Sequence, residues 1–154
     1  MTVRVRHKLS AAVFIVLWRG PEVCLLRRNG TGWMDGFYSL PAGGLEANET
    51  IRSAARREAK EETGGEIAPE SLTYAHTLHC LTDGGDWVGH FFTAIRWTGT
   101  PSIREPDKHS DLGWWSPGSL PPNTIPYIRQ ALHCINQGQP YSEYGWGVVP
   151  VHGS

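Results

Sequence analysis

Apolar residues gather in two short runs near the start of the chain, with a turn signal between them. Residues 11–18 (AAVFIVLW) and 22–28 (EVCLLRR) are rich in β-branched and aliphatic side chains, and Gly20-Pro21 separates them. Short apolar runs bounded by glycine and proline are typical of buried strands. The pattern therefore predicts a β-hairpin at the start of the fold.

A second pair of apolar runs predicts another hairpin further along. Residues 72–81 (LTYAHTLHCL) and 87–97 (WVGHFFTAIRW) flank the segment TDGGD, in which Asp83-Gly84 supplies turn residues. One more short strand is expected at residues 112–116 (LGWWS).

Two segments have the features of helices. Residues 49–63 are bounded by Asn48, a good N-cap, and by Gly64-Gly65, and Glu49 is expected in the first turn. Residues 127–137 follow Pro126 and carry apolar side chains at helical spacing. Strands dominate, with one helix early and one late, which predicts an α/β fold in which helices flank a sheet.

The length and composition fit one globular domain. The chain has 154 residues, of which 40% are hydrophobic and 19% charged. We expect a single domain over residues 1–154, with a core at about 8–139 and a C-terminal extension at 140–154. The net charge is -1, so no general basic field attracts nucleic acid, and an anionic ligand must be held locally.

The remaining composition points to the cytoplasm. Three cysteines form an odd count without paired spacing, as expected in a reducing compartment. The longest apolar run, AAVFIVLW, is too short to span a bilayer, and the N-terminus lacks the apolar run of a signal peptide. We therefore expect no membrane partner and no stable nucleic-acid partner, and a homodimer remains open.

The charged segment RREAKEETG allows two interpretations. Glu58, Glu61 and Glu62 share overlapping faces of one helix and repel one another, so the simpler account is a solvated helix neutralised by its own basic residues. The preceding segment FYSLPAGG favours a second account, because glycine lets backbone carbonyls approach the helix closely. Carboxylates and carbonyls together form an oxygen cage suited to Mg²⁺, with Mn²⁺ as an alternative.

The spacing of these residues resembles the signature of the Nudix hydrolases. Gly43 is followed after five residues by Glu49, and after seven more by REAKEETG. Gly65 departs from the pattern, since the family has an aliphatic residue there. The resemblance covers the charged positions and both glycines, and it implies the Nudix fold, a mixed β-sheet sandwiched between α-helices.

The resemblance also implies roles for individual residues. Glu58, Glu61, Glu62 and the Gly43 carbonyl correspond to the metal ligands, and Arg57 corresponds to the arginine that positions a glutamate, with Glu49 as its supporting acid. The implied reaction cleaves a phosphoric anhydride in a nucleoside diphosphate linked to another group. The catalytic set is then Arg57, Glu58 and Glu61, with Glu58 as one candidate for the general base.

Residues outside this segment give weaker signals. Trp33 and Phe37 lie in the loop before it and are candidates for stacking on a base, with Trp87 and Phe91 as second choices. Among the acids Glu105, Asp107 and Asp111, one could supply another metal ligand, the general base or a carboxylate that hydrogen-bonds the base. We select Asp107 and Asp111 as candidates for substrate binding. The segment EPDKHSDLGWWSPGSLP resembles the corresponding region of MutT-like enzymes of the nucleotide pool.

His76, His79 and Cys80 do not form a zinc site within one strand. His76 and His79 would face opposite sides, and His76 and Cys80 would lie about 13 Å apart at the usual rise per residue.

The sequence leaves several functions open. A small MutT-like chain favours nucleoside triphosphates, including damaged deoxynucleotides, cleaved to the monophosphate and pyrophosphate. The alternatives are an ADP-ribose, nucleotide-sugar or dinucleotide pyrophosphatase and a non-catalytic nucleotide-binding module. RNA 5′-end hydrolysis would require a basic surface, and the net charge of -1 argues against it.

Overall fold

The computed structural model describes residues 2–147. These residues form eight strands and two helices. In chain order they are β1 (Ser10–Arg19), β2 (Glu22–Arg28), β3 (Tyr38–Ser39), β4 (Ala42–Gly44), α1 (Ile51–Thr63), β5 (Thr73–Thr82), β6 (Gly85–Ala94), β7 (His109–Trp115), α2 (Pro126–Asn136) and β8 (Tyr141–Tyr144).

The strands make one mixed sheet. Its order is β3-β2-β1-β6-β5-β8, with β4 paired to β1 and β7 paired to β2. The pairs β1–β6 and β5–β8 are parallel, and the other pairs are antiparallel. Both predicted hairpins are present, although β6 ends at Ala94 rather than at residue 97, and β7 begins at His109 rather than at residue 112.

One helix packs on each face of the sheet, which confirms the predicted α/β class. Alternate residues of β1 serve the two faces, because successive side chains of a strand point in opposite directions. Val13, Ile15 and Leu17 pack with the buried alanines of α1. Phe14 and Val16 pack with Ile128, Leu132 and other residues of α2.

Helix α1 begins two residues later than the sequence predicted. The Thr50 hydroxyl, not the Asn48 side chain, accepts a hydrogen bond from the Ser53 amide at 3.0 Å and caps the helix. Asn48 has a φ of 65°, a left-handed conformation that asparagine tolerates, and the chain turns there. Glu49 consequently lies before the helix and not in its first turn. The helix ends as predicted at Gly64, whose φ is 81°.

Helix α2 starts at Pro126 and follows the predicted pattern. A proline in the first turn has no amide to leave unpaired. Ile128, Ala131 and Leu132 are fully buried. Neither α1 nor α2, the helices of residues 2–147, is long and apolar enough to cross a membrane.

The described part of the C-terminal extension adds a strand to the sheet edge. Strand β8 pairs in parallel with β5. The buried side chain of His76 in β5 forms hydrogen bonds with Gln139 and Ser142, before and within β8. The His76 Nδ1 atom donates to the Gln139 carbonyl at 2.7 Å, so Nε2 accepts from the Ser142 hydroxyl at 2.7 Å. Residues 148–154, which the sequence assigned to the same extension, lie outside the described part of the chain.

A corner of the molecule brings together residues from both ends of the described chain. His7 and His79 each place Nε2 at 2.9 Å from the Asp86 carboxylate, on different oxygens. The Trp146 ring packs at an angle of 48° against His79, with ring centroids 4.8 Å apart, and its indole nitrogen donates to the His79 carbonyl at 3.1 Å. His76 and Cys80 are buried on one face of β5 while His79 lies on the other, as the strand geometry predicted.

Candidate active site

Arg57 is the centre of a hydrogen-bond network that joins α1 to the segment before it. Its Nε and Nη2 atoms donate to the two carboxylate oxygens of Glu49, at 3.0 and 2.7 Å. Nη2 also donates to the Gly44 carbonyl at 3.1 Å. The hydrogen bonds from Arg57 hold the pKa of the Glu49 carboxyl below its usual range. The network fixes α1 against β4.

The same guanidinium also reaches two of the predicted metal-binding carboxylates. Nη1 lies 2.7 Å from Glu58 Oε1 and 3.4 Å from Glu61 Oε2. Glu61 is half exposed, whereas Glu58 is buried. Arg57 therefore orients Glu58 and Glu61 and offsets part of their mutual repulsion.

Gly43 is packed directly against Glu58. A Cβ atom at this position would overlap the Glu58 carboxylate. Burial raises the pKa of the Glu58 carboxyl, although Arg57 opposes the shift. Only glycine leaves room for this carboxylate beside β4, which explains a glycine at this place in the sequence.

Glu62 is the most enclosed acid of the segment. Its Oε1 atom accepts a hydrogen bond from the Ala42 amide at 3.1 Å. Burial raises the pKa of the Glu62 carboxyl to about 8, and the charges of Glu58 and Glu105 act in the same direction. A buried carboxylate without a close cationic partner behaves in this way.

The register of β4 decides which backbone carbonyl faces these acids. The Leu45 amide donates to Ala11 and the Ile15 amide donates to Pro41, so Val13 and Gly43 form a hydrogen-bonded pair of the antiparallel ladder. The Gly43 carbonyl consequently points to β1. Residues on either side point the other way, and the Ala42 amide indeed bonds Glu62.

The donor set fits a divalent cation that prefers oxygen ligands. Glu58 lies against Gly43 and Glu62 accepts a hydrogen bond from the Ala42 amide, and carboxylate and carbonyl oxygens of this kind suit Mg²⁺ or Mn²⁺. In the present arrangement, no three acidic, histidine or cysteine side chains of residues 2–147 are grouped to hold an ion. Glu58 and Glu61 are directed at Arg57 instead.

Glu105 is the acid from the later loop whose charge reaches the site. It raises the pKa of both Glu58 and Glu62. The selected acids lie elsewhere: Asp111 accepts a hydrogen bond from the Tyr38 hydroxyl at 2.5 Å, and exposed Asp107 lies beside Gly30. The sequence contained Glu105 as a candidate, but spacing alone could not separate it from the two aspartates.

His109 is a buried neighbour of Glu62 that the sequence did not single out. Its Nε2 atom lies 3.9 Å from Glu62 Oε1, beyond hydrogen-bond distance. Its Nδ1 atom is buried without a hydrogen-bond partner among residues 2–147. Burial lowers the pKa of His109, so the ring tends to stay neutral beside the carboxylates.

An aromatic cleft of about 260 Å³ opens beside Gly43. Trp33 and Trp87 form walls on either side of Tyr127, with centroid distances to the tyrosine ring of 6.2 and 5.2 Å. Arg28 adds one cationic side chain to a mainly apolar lining, which also contains Ala12, Phe14, Ser39 and Ala42. The flat faces and the single cation suit a base joined to phosphate.

The structure distributes the predicted aromatic residues among different places. Trp33 and Trp87 line the cleft. Phe37 lines a separate cavity with Pro117, Pro122 and residues of α2. Phe91 is fully buried and stacks on Phe14, with centroids 4.5 Å apart.

The sequence missed Tyr127 and Arg28 as cleft residues. Tyr127 follows Pro126 at the start of a helix, and its place could not be inferred before the position of α2 on the sheet was known. Arg28 ends a strand, where an arginine is usually a solvated residue. The cleft could have been predicted only from the pairing of distant elements.

The fold matches that of MutT-type hydrolases. The crystal structure of a MutT NUDIX hydrolase from Burkholderia pseudomallei is 26% identical, with a TM-score of 0.76, and the match covers 82% of this chain and 98% of that chain. The architecture, together with the acidic residues of α1, places the chain in the class of MutT-type Nudix folds.

Sequence comparisons give the family. A family model described as the NUDIX domain matches residues 8–133. The 8-oxo-dGDP phosphatase NUDT18 of Homo sapiens is 31% identical over 143 residues, which are 92% of this chain and 42% of that protein. The NAD-capped RNA hydrolase NudC of Pseudomonas aeruginosa is 30% identical over 130 residues, which are 84% of this chain and 44% of that protein. The chain belongs to the Nudix family, as the sequence predicted, and spans less than half the length of these two relatives.

Proposed function

We propose that this chain is a metal-dependent hydrolase that cleaves a phosphoric anhydride bond in a nucleoside diphosphate linked to another group. Nucleoside triphosphates, including damaged deoxynucleotides, are the first expected substrates, with the monophosphate and pyrophosphate as products. The observation that carries the proposal is the aromatic cleft lined by Trp33, Trp87 and Tyr127. Its lining includes Ala42 and Gly43, which contact Glu62 and Glu58 of α1.

This adjacency suits the shape of a nucleotide. A base can stack in the cleft while its phosphates lie towards Gly43, which packs against the Glu58 carboxylate. Arg28 lies in the same cleft and can pair with a phosphate oxygen. The cleft therefore supplies both an apolar subsite for the base and a cationic subsite, at Arg28, for a phosphate.

A divalent cation is expected to act with the carboxylates. When bound, Mg²⁺ or Mn²⁺ would neutralise phosphate oxygens and assist the leaving group. Glu58, Glu61 and Glu62 are the proposed side-chain ligands. For the backbone ligand we favour the Ala42 carbonyl over the predicted Gly43 carbonyl, because the ladder directs Gly43 to β1.

The chain's own residues position the reacting groups. Arg57 holds Glu58 in place, and Glu49 fixes Arg57 in turn. One carboxylate must accept the proton of the attacking water. Glu58 and Glu105 are the candidates, since Glu105 is the acid of the later loop whose charge reaches Glu58.

A panel of nucleotides tests the proposal. Nucleoside tri- and diphosphates, 8-oxo-dGTP, 8-oxo-dGDP, ADP-ribose and a nucleotide sugar would be incubated with Mg²⁺ or with EDTA, and phosphate and pyrophosphate release measured. Turnover of at least one anhydride with Mg²⁺ and its loss in EDTA are expected. Glu61→Gln should abolish most turnover, while Glu66→Gln, an exposed residue paired with Lys60, should not.

Other outcomes of the panel separate the alternatives. Binding of nucleotides without turnover of any of them would favour a non-catalytic module. A preference for ADP-ribose or a nucleotide sugar over every triphosphate would replace the substrate assignment and keep the reaction class. A cytoplasmic location and a homodimer stay predictions from the sequence.

A further inference from the structure

The loop between β2 and β3 has an unusual backbone. Four alternate residues have a positive φ: Gly30 (68°), Gly32 (85°), Met34 (50°) and Gly36 (87°). Three of them are glycines, which adopt this conformation freely, but Met34 is not. A left-handed methionine persists only where surrounding contacts enforce it. Loop 29–36 is therefore held in one conformation by specific interactions.

Asp35 supplies three of these interactions. Its Oδ1 atom accepts hydrogen bonds from the Thr31 amide at 3.1 Å and from the Thr31 hydroxyl at 2.6 Å. Its Oδ2 atom accepts from the Gly32 amide at 2.8 Å. Both carboxylate oxygens are thus used within the loop, and these bonds hold the pKa of Asp35 below its usual range.

Arg28 fastens the loop from the other side. Its Nε atom donates to the Trp33 carbonyl at 2.7 Å and its Nη2 atom to the Thr31 hydroxyl at 2.9 Å. The Gly36 amide donates to the Arg28 carbonyl at 2.7 Å. Thr31 therefore links Asp35 to Arg28, and Trp33 lies in the sequence between Thr31 and Asp35.

The result is an exposed tryptophan in a fixed place. Trp33 is 45% exposed, yet its ring lies 6.2 Å from Tyr127 at an interplanar angle of 27°. These two rings line the cleft beside Gly43 and also a second cavity of about 230 Å³ near Asp83 and Tyr144. Trp33 is thus held as one wall of the cleft by the loop, by the Tyr127 ring and by the Arg28 guanidinium 5.2 Å from its ring centroid, and not by burial.

We propose that Asp35 is a positioning residue for nucleoside binding, which fixes loop 29–36 so that Trp33 stands ready to stack on a base. The inference rests on the proposed nucleotide-binding role of the cleft. Asp35 itself is exposed and lies outside the cleft lining, so it acts through Trp33. Holding the indole in place before binding removes part of the ordering cost of the complex.

The proposal predicts a selective loss of affinity. Removing the carboxylate should weaken ligands that carry a base and leave ligands without a base unchanged. Base stacking is worth about 1–3 kcal/mol by alanine substitution, which corresponds to roughly 5- to 150-fold in affinity. Losing only the fixed position of the indole should cost part of this, a decrease in affinity of up to about 10-fold.

The test measures dGMP and inorganic pyrophosphate binding by calorimetry with Mg²⁺ present, and kcat and KM for dGTP. Asp35→Ala should weaken dGMP about 10-fold, keep pyrophosphate within twofold, and raise KM without lowering kcat. Thr31→Val, which removes one hydroxyl, should act in the same direction and less strongly. Asp35→Asn should restore part of the affinity, and Glu70→Gln, an exposed acid elsewhere, should change nothing.

A double-mutant cycle separates positioning from general destabilisation. If Asp35 acts through Trp33, Asp35→Ala should have no further effect on dGMP binding in a Trp33→Ala background. Additive effects, or equal losses for dGMP and pyrophosphate, would overturn the inference. If Asp35→Ala does not fold, the cycle with Thr31→Val decides in the same way. Wild-type protein that neither binds dGMP nor hydrolyses any nucleotide would instead overturn the proposed function.

Discussion

The carboxylate of Glu49 and the guanidinium of Arg57 meet edge to edge across the start of α1. Two parallel hydrogen bonds join them, and a further nitrogen of the same guanidinium reaches Glu58. A planar fork is needed for this arrangement, because the three nitrogens of Arg57 serve partners on different sides. Glu49 thus holds Arg57 in place although Glu49 itself lies before the start of α1.

Replacing Arg57 with lysine should reduce kcat without unfolding the chain. Lysine keeps the charge but cannot bond Glu49 through two nitrogens and still reach Glu58. The loss of charge-assisted hydrogen bonds is worth about 1.5–3 kcal/mol, or roughly 10- to 150-fold in rate. Steady-state kinetics on the best substrate would measure it, with Arg56→Lys on the same helix as the control. Equal rates for both variants would contradict the positioning role.

Neighbouring glycines of β4 offer a matched comparison of packing. Gly43→Ala places a methyl group into the Glu58 carboxylate, whereas a Cβ at Gly44 meets no atom within 4 Å. We expect Gly43→Ala to lower Tm by several degrees, since overpacking costs about 1–3 kcal/mol, and to reduce turnover. Gly44→Ala should keep both near wild type. Thermal melts and activity assays on the two proteins would show whether the contact matters.

Glu62 should make the stability of the protein in EDTA depend on pH. The pKa of its carboxyl is 4.5 without perturbation and about 8 in the folded chain. Between these values the folded state binds more protons than the unfolded state, so the free energy of unfolding should fall as the pH rises from about 4.5 to about 8. Glu62→Gln removes this contribution.

Urea denaturation at pH 5, 6, 7 and 8 would measure the effect as a difference between variants. The curve for Glu62→Gln should be flatter than the wild-type curve over this window. Glu66→Gln, at an exposed acid, should not flatten it. Parallel curves for wild type and Glu62→Gln would show that Glu62 is not held protonated.

The two aromatic residues selected in the loop before β3 and at its end, Trp33 and Phe37, should differ in effect. Trp33 lines the cleft, so Trp33→Ala should raise KM for nucleotides about 5- to 150-fold, the range found for loss of base stacking. Phe37 lines another cavity, and Phe37→Ala should leave KM unchanged. Steady-state kinetics would decide, and an equal rise in KM for both would place the base elsewhere.

Strand β8 should depend on one hydroxyl. Ser142→Ala leaves the buried Nε2 atom of His76 without its donor, which costs about 1–3 kcal/mol. Chemical denaturation should detect this loss. Ser119→Ala, at an exposed serine in a turn, is the control and should change stability little. If Ser142→Ala were as stable as that control, β8 would be held by its backbone pairing alone.

Local patterns in the sequence predicted most of the fold. Both hairpins, the two helices and the carboxylate segment depend on nearby residues, so spacing and turn residues identify them. The cap of α1 was misassigned because Asn48 and Thr50 are both good capping residues, and only the turn at Asn48 decides between them.

The cleft depends on distant elements and was largely hidden. Trp33, Trp87 and Tyr127 come from a loop, a strand and a helix that meet only after folding. Glu105 carries the same carboxylate group as Asp107 and Asp111 nearby, so the sequence alone could not single it out. Strand β8 was not predicted within the C-terminal extension, because its aromatic residues show no simple alternation and its partner β5 is distant in sequence.

The corner at Asp86 joins residues that are far apart in sequence. His7 reaches Asp86, and Trp146 rests on His79, whose ring bonds the other oxygen of the same carboxylate. Residues near the two ends of the described chain therefore lie side by side, a condition that favours circular permutation. A short linker from residue 147 to residue 7, with new ends opened in the exposed loop at residues 99–100, would leave β4, α1 and the aromatic cleft uncut. A permuted chain would then form the same site although its strands and helices are synthesised in a different order.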